Sequence, residues 1–258
     1  MRKLETEAKP GVSVGSSAYP SARVPHVVAR DVVVQGILDL FVRPDYLEVG
    51  VFKGVTFNSL RAARKVAVDP KFAFDYAPIA AGDASVEFWQ VTSDCYFGTI
   101  AEPSRRFDVI YLDGLHTFEQ TLRDLLNALS FIKSDGVIVI DDVFPSSYVA
   151  SLPSIEAFKQ VRTASGVVSR DWMGDVYRLI FFINSFCQQY SYRTINDNHG
   201  QLVLWRRARA EVEPARLADI ATLGYDKLLL SKETLRLAPY GEILDLLRTR
   251  NETARLGE

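Results

Sequence analysis

The sequence predicts one principal α/β domain built on a mainly parallel sheet with helices on both faces. Three observations predict it. Short apolar, β-prone segments alternate with stretches of helical periodicity between Tyr46 and Ile140. Each of those segments ends at a carboxylate or beside one. A chain of 258 residues with 48% hydrophobic content suffices to bury one large core. Strands that alternate with helices pair in parallel, and ligands of such sheets bind beyond the strands' carboxyl ends.

The elements follow in order. Residues 1–25 carry Pro10, Gly11, Gly15, Ser16, Ser17, Pro20 and Pro25 without periodicity, which reads as a mobile arm able to fold over a ligand. Val33, Ile37, Leu38 and Phe41 recur at helical spacing within His26 to Phe41, and Pro44 ends that helix. Tyr46–Val49 is a strand, a glycine-bearing turn follows, and Phe57–Arg64 reads as a helix. Lys65–Val68, Glu87–Val91 and Phe107–Leu112 are the next strands, ending at Asp69, Asp94 and Asp113. Leu122, Leu125, Leu126, Leu129 and Ile132 place a crossover helix over Thr117–Lys133 with Asp135-Gly136 as its stop. Val137–Ile140 is a buried strand ending in Asp141-Asp142. Asp175–Phe186 is helical, and strands at 190–195 and 201–205 flank the turn-rich Asn196–Gly200, so the sheet finishes in an antiparallel hairpin. Residues 209–258 show helical apolar spacing and no chemical motif, and are assigned to packing on the domain, which spans 26–208, or to a subunit interface.

Bulk properties bound the function. A net charge of -2 and a pI near 6.0 give no footprint for nucleic acid or an anionic membrane. Cys95 and Cys187 form no metal-binding or disulfide pattern, as in a reducing compartment. No apolar run approaches the roughly 20 residues of a membrane span, and no signal peptide is read at the start, so the expected setting is cytoplasmic.

Two constellations carry chemistry. In Glu48-Val-Gly-Val-Phe-Lys-Gly54, the glycines Gly50 and Gly54 let backbone approach a ligand, and Asp69 ends the next strand about 20 residues on, where an acid binds ribose hydroxyls. Glu48, Gly50, Val51, Phe52, Lys53, Gly54 and Asp69 are therefore candidates for binding an adenosine-type cofactor, joined by Ser93 and Asp94 at the end of the third strand, near the adenine. A plainer reading makes the glycines a tight turn, Asp69 a cap before Pro70, and Ser93 and Asp94 turn formers. A dinucleotide dehydrogenase is the weaker alternative, since no G-x-G-x-x-G is present.

The second constellation is Asp113, His116, Asp141 and Asp142. Three carboxylates on one rim repel unless protonated or neutralised, and a hard divalent cation, Mg²⁺ first, is the economical solution. Asp113, Asp141 and Asp142 are the candidate metal ligands, with His116 or Asp113 as the catalytic base near neutral pH. The plainer alternative is a turn at Asp113-Gly114, a packed His116 and a capping Asp141-Asp142. His26 and His199 have no acidic neighbours at ligand spacing and read as surface or structural residues. Asp171–Asp175 offers either Trp172 as a stacking surface for substrate or an N-capping acid for the next helix.

These residues resemble a known family. Glu48–Gly54, Asp69-Pro70, Asp113-Gly-Leu-His116 and Val137–Asp142 look like small-molecule class I methyltransferases across about residues 45–205. The Asp-Gly-x-His step and the Asp-Asp pair are similar to the group of macrolide-sugar O-methyltransferases and cephalosporin-hydroxylase-like proteins. The resemblance implies a Rossmann-like, seven-stranded sheet with its last strand antiparallel, S-adenosylmethionine over the Glu48–Gly54 loop, Mg²⁺ on Asp113, Asp141 and Asp142, and homo-oligomers in several members. Phe52 stands where the wider superfamily has a glycine. The implied activity is methylation of a small-molecule hydroxyl, with a sugar or natural-product intermediate as acceptor. The rivals are another reaction on the same fold, such as a hydroxylase component, and a non-catalytic scaffold.

Overall fold

The computed structural model describes residues 28–256, so the expected arm at 1–25 and His26 lie outside the described residues. The amino-terminal half runs α1 (Arg30–Leu38), β1 (Asp45–Val49), α2 (Val55–Ser59), β2 (Arg64–Val68), α3 (Ala77–Gly82), β3 (Val86–Trp89), α4 (Ser93–Cys95) with a π-helical turn at Tyr96–Ile100, β4 (Phe107–Leu112), α5 (Phe118–Phe131) and β5 (Ile132–Ile140). There follow α6 (Ile155–Ser165), α7 (Arg178–Phe186), β6 (Tyr190–Ile195), β7 (Leu202–Arg206), α8 (Leu217–Ala221), α9 (Tyr225–Leu230), a 3₁₀ turn at Lys232–Leu235, β8 (Leu237–Ala238) and α10 (Tyr240–Leu256).

One sheet has the order β3-β2-β1-β4-β5-β7-β6-β8. Strands β1 to β5 pair in parallel, and β7 inserts antiparallel between β5 and β6. The seven expected strands and the antiparallel last one are present, and the two-residue β8 adds an eighth beside β6. Alternation along the central strands divides the core. Leu47, Val66, Ile110, Leu112, Ile138 and Ile140 pack with Leu125 of α5 and Leu179 and Ile183 of α7. Tyr46, Ala67, Val109, Tyr111, Val137 and Val139 pack with Val33, Ile37 and Leu38 of α1 and Ile243 and Leu247 of α10. Strands covered on both faces read as continuous apolar runs, as these do.

Some boundaries differ from the sequence reading. The helix expected to reach Arg64 stops at Ser59, because Lys65 folds back and donates to the carbonyls of Phe57 and Leu60 at 2.9 and 3.0 Å. Gly136 is no helix stop. The helix ends at Phe131, and Gly136 lies inside β5, where the β4–β5 register shifts and a Cβ would press on Ile132 and on the Asp108 carbonyl. Helix α6 was not expected, although Ser154 accepts from the Ala157 N–H at its start and Gly166 closes it with φ 68°.

Candidate functional site

Every central strand delivers its last residues to one rim of the sheet. After β1 the chain turns at once: Gly50 has φ 90°, and a Cβ there would run into the carbonyl of Asp113. Phe52, at φ 44°, is pinned in the left-handed region by its N–H, which donates to Asp69 Oδ2 at 2.8 Å. Asp69 Oδ1 accepts from the Lys71 N–H at 2.7 Å. Asp69 therefore shapes the loop as a capping acid while each oxygen keeps a lone pair. Gly54, φ 70°, closes the turn and opens α2.

Above this rim is a cavity of about 550 Å³. Gly50, Phe52, Asp69, Ser93, Asp94, Asp113 and His116 line it, so seven of the residues named from sequence converge on one space. Val51 is in the core, Gly54 packs toward Phe74, and Lys53 lies over the Phe52 ring; these three support or edge the loop. Glu48 is buried and accepts from the Tyr46 hydroxyl at 2.6 Å. Burial, aided by Asp113 and opposed by that hydrogen bond, pushes the Glu48 carboxyl up to about 8. Sequence reasoning missed Gln120 and Asp124. Gln120 Nε2 donates to Ser93 Oγ at 3.2 Å, Asp94 Oδ1 at 3.3 Å and Asp124 Oδ1 at 3.1 Å, tying α5 to the end of β3. Their i, i+4 spacing on the first turns of α5 was the available signal.

The opposite end of the cavity leads into the acids. Asp141 accepts the Tyr111 hydroxyl at 2.6 Å and the Asp142 N–H at 2.9 Å. His116 lies with Nδ1 2.8 Å from Asp142 Oδ2 and Nε2 3.3 Å from Asp113 Oδ1, while His199 Nε2 is 3.2 Å from Asp142 Oδ1. Arg30, from the first turn of α1, places Nε 2.7 Å from Asp141 Oδ2. The repulsion that the sequence reading assigned to a metal is thus balanced here by one guanidinium and two imidazoles. His199 is structural in the sense of being paired, but its partner is Asp142, an acid remote in sequence, and it belongs to this cluster, where the sequence reading assigned it no role.

Charge follows geometry. Burial would lower the His116 imidazole, but Asp113 and Asp142 outweigh it and push it up to about 11, so it is an imidazolium in this arrangement rather than a base ready at neutral pH. Burial would raise Asp142, yet the two imidazoles hold it well below the usual carboxylate range. Asp141 is pushed up to about 7 by burial and by Asp113 and Asp142, against Arg30 and His199. His116 and Asp142 have positive φ of 57° and 61°, conformations that cost roughly 1–3 kcal/mol each and persist where the surroundings enforce them. Gly174, φ 63°, packs so closely on the His116 carbonyl that no Cβ fits, and Asp175 accepts the Phe118 N–H at 2.7 Å. Asp175 caps α5 rather than the next helix. Trp172 stacks on His116 at 5.4 Å and 24°, and its indole donates to the Leu152 carbonyl at 2.7 Å.

The donor set suits a hard cation. Ligand atoms of Asp113, His116 and Asp142 lie within 4.8 Å of one another, and both Asp142 oxygens and Asp113 Oδ1 are buried with only the ring nitrogens of His116 and His199 close by and no well-aligned hydrogen bond. Asp141, the third acid expected, is held by Tyr111 and Arg30.

Residues 47–143, from β1 to just past β5, match the sequence model of a family described as a methyltransferase domain. The matched segment takes in β1 to β5 and the rim that carries Glu48, Asp69, Asp113, Asp141 and Asp142. No curated protein matches. Among solved structures, the chain is similar to an O-methyltransferase from Bacillus cereus in complex with SAH, at 17% identity, covering 72% of this chain and 86% of that one, with a TM-score of 0.46. It is similar to the O-methyltransferase TomG from Streptomyces achromogenes, involved in tomaymycin synthesis, at 15% identity, 68% and 79% coverage and a TM-score of 0.45. The MycE methyltransferase of the mycinamycin pathway, in complex with Mg, SAH and mycinamycin VI, is similar at 14%, 67% and 47%, with a TM-score of 0.42. No described helix is long and apolar enough to cross a membrane.

Proposed function

We propose that the protein transfers a methyl group from S-adenosylmethionine to a hydroxyl of a small molecule, with a sugar or natural-product intermediate as acceptor, in a cytoplasmic setting. The observation that carries this reading is the single cavity running from the Asp69 loop to Asp113 and His116. Asp69 keeps a free lone pair on each oxygen for ribose hydroxyls, Ser93 and Asp94 face the adenine position, and Phe52, 58% exposed, covers the mouth. Asp113 and Asp142 offer the oxygens for Mg²⁺, joined by Asp141; when bound, the cation supplies a lowered acceptor pKa. His116 Nε2, on the Asp113 side, accepts the acceptor's proton once those carboxylates no longer hold the ring charged. Trp172 and Gly174 keep that ring in place.

Calorimetric titration with S-adenosylhomocysteine, with Mg²⁺ and with EDTA, on the parent chain and on Asp69→Ala, tests the cofactor. Binding that weakens in Asp69→Ala supports the reading, and no binding under any condition overturns it. Transfer to an acceptor that survives EDTA would remove Mg²⁺ from it.

A further inference from the structure

We infer that Arg30 sets the cation affinity of the acid cluster by occupying its charge site, so that a divalent cation enters only as the guanidinium withdraws. The inference rests on the metal reading above and concerns a residue outside the matched segment 47–143. Arg30 lies opposite all three acids: Nε is 2.7 Å from Asp141 Oδ2, NH2 is 3.7 Å from Asp142 Oδ1 and NH1 is 3.9 Å from Asp113 Oδ2. Only the first is a hydrogen-bond distance. Arginine–carboxylate pairs frequently use the planar fork in a bidentate grip. This one spreads its charge over three carboxylates and holds a single oxygen.

The consequence is a division of labour. Arg30 balances charge without satisfying the remaining oxygens: both Asp142 oxygens and Asp113 Oδ1 are buried with no well-aligned hydrogen bond, and their near neighbours are the His116 and His199 ring nitrogens at 2.8–3.3 Å. A compact divalent cation could satisfy those oxygens, and it would stand within a few ångströms of a fixed positive charge that repels it. Arg30 can leave. It is the first residue of α1 and its side chain is 37% exposed, whereas those of Asp141 and Asp142 are 1% and 2% exposed. It is the exposed partner among more buried ones. Asp141 gains most from its departure, since Oδ2 is then left with the Tyr111 hydroxyl alone and becomes available as the third oxygen donor.

Mn²⁺ binding to metal-free protein, followed by calorimetry and by the electron paramagnetic resonance signal of free Mn²⁺, tests the inference on the parent chain, Arg30→Lys and Arg30→Gln. Arg30→Gln is expected to bind about tenfold more tightly or better, the scale of one lost charge interaction, and Arg30→Lys to stay near the parent. Binding confined to Arg30→Gln supports the same conclusion. Equal or weaker binding by Arg30→Gln, with the parent binding well, overturns the competition and leaves the metal reading standing. No Mn²⁺ binding by any of the three overturns both. Should Arg30→Gln fold poorly, ¹⁵N resonances of the arginine side chains in the parent chain decide it: the Arg30 Nε–H signal should shift or broaden into exchange with solvent at saturating Mg²⁺, and its persistence unchanged refutes the inference.

Discussion

The two ends of the cavity are built on different principles. At the Glu48–Gly54 loop the chain uses backbone: Gly50 and Gly54 at positive φ, Phe52 fixed by one hydrogen bond, and a single acid, Asp69, from the neighbouring strand. At the acid end it uses side chains from distant elements, with Arg30 from α1, His116 before α5 and His199 from the hairpin turn meeting three aspartates. The first end is a shape set by local conformation, and the second is a charge balance set by tertiary structure. Shape should be broken by adding atoms, and balance by removing charges.

The largest expected effect is at the acid end. Asp142→Ala leaves two imidazoles without their shared carboxylate, and kcat should fall by roughly a thousandfold or more, as when groups acting as a unit lose a member; steady-state assays with an identified acceptor measure it. At the other end, Gly50→Ala forces a Cβ against the Asp113 carbonyl at φ 90°, and thermal melting should show a loss of about 1–3 kcal/mol together with weaker S-adenosylhomocysteine binding. Asp69→Asn keeps an acceptor oxygen but loses charge, so a milder loss in cofactor affinity of about tenfold is expected by calorimetry. A reversal of the first two sensitivities would dissolve the contrast between the ends.

The contrast also explains what could be read from the sequence. The strand–acid pairs at Asp69, Asp113 and Asp141-Asp142 were legible because each is local, an apolar run with its terminal carboxylate. Arg30 and His199 were not, since nothing within a few residues of either tells which strand ends they face, and the i, i+4 spacing of Gln120 and Asp124 shows a shared helix face but not what it faces. Gly136 misled for a related reason: after a helical stretch it resembles a stop, and only the register shift opposite Asp108 makes it a strand residue. The eighth strand is too short for any pattern.

Two smaller tests refine the comparison. Glu48, behind the loop, titrates near 8 when folded and near 4.5 otherwise, so the folded state holds the extra proton between those values. Stability should therefore fall as pH rises through that window, by up to about 1.4 kcal/mol per pH unit for one proton, and Glu48→Gln should flatten the slope in melts from pH 5 to 8. Trp172→Phe keeps the stack on His116 but loses the bond to the Leu152 carbonyl, and a severalfold drop in kcat with little change in KM is expected.

The insertion of β7 between β5 and β6 has a consequence for how the chain is made. Asp142 emerges from synthesis well before His199, and the hairpin that carries His199 can dock only after both of its strands exist. Pairing of this kind, remote in sequence, is slow relative to local structure. A nascent chain therefore carries its densest negative charge incompletely balanced until the sheet closes, and closing the sheet and quieting that charge are one folding event.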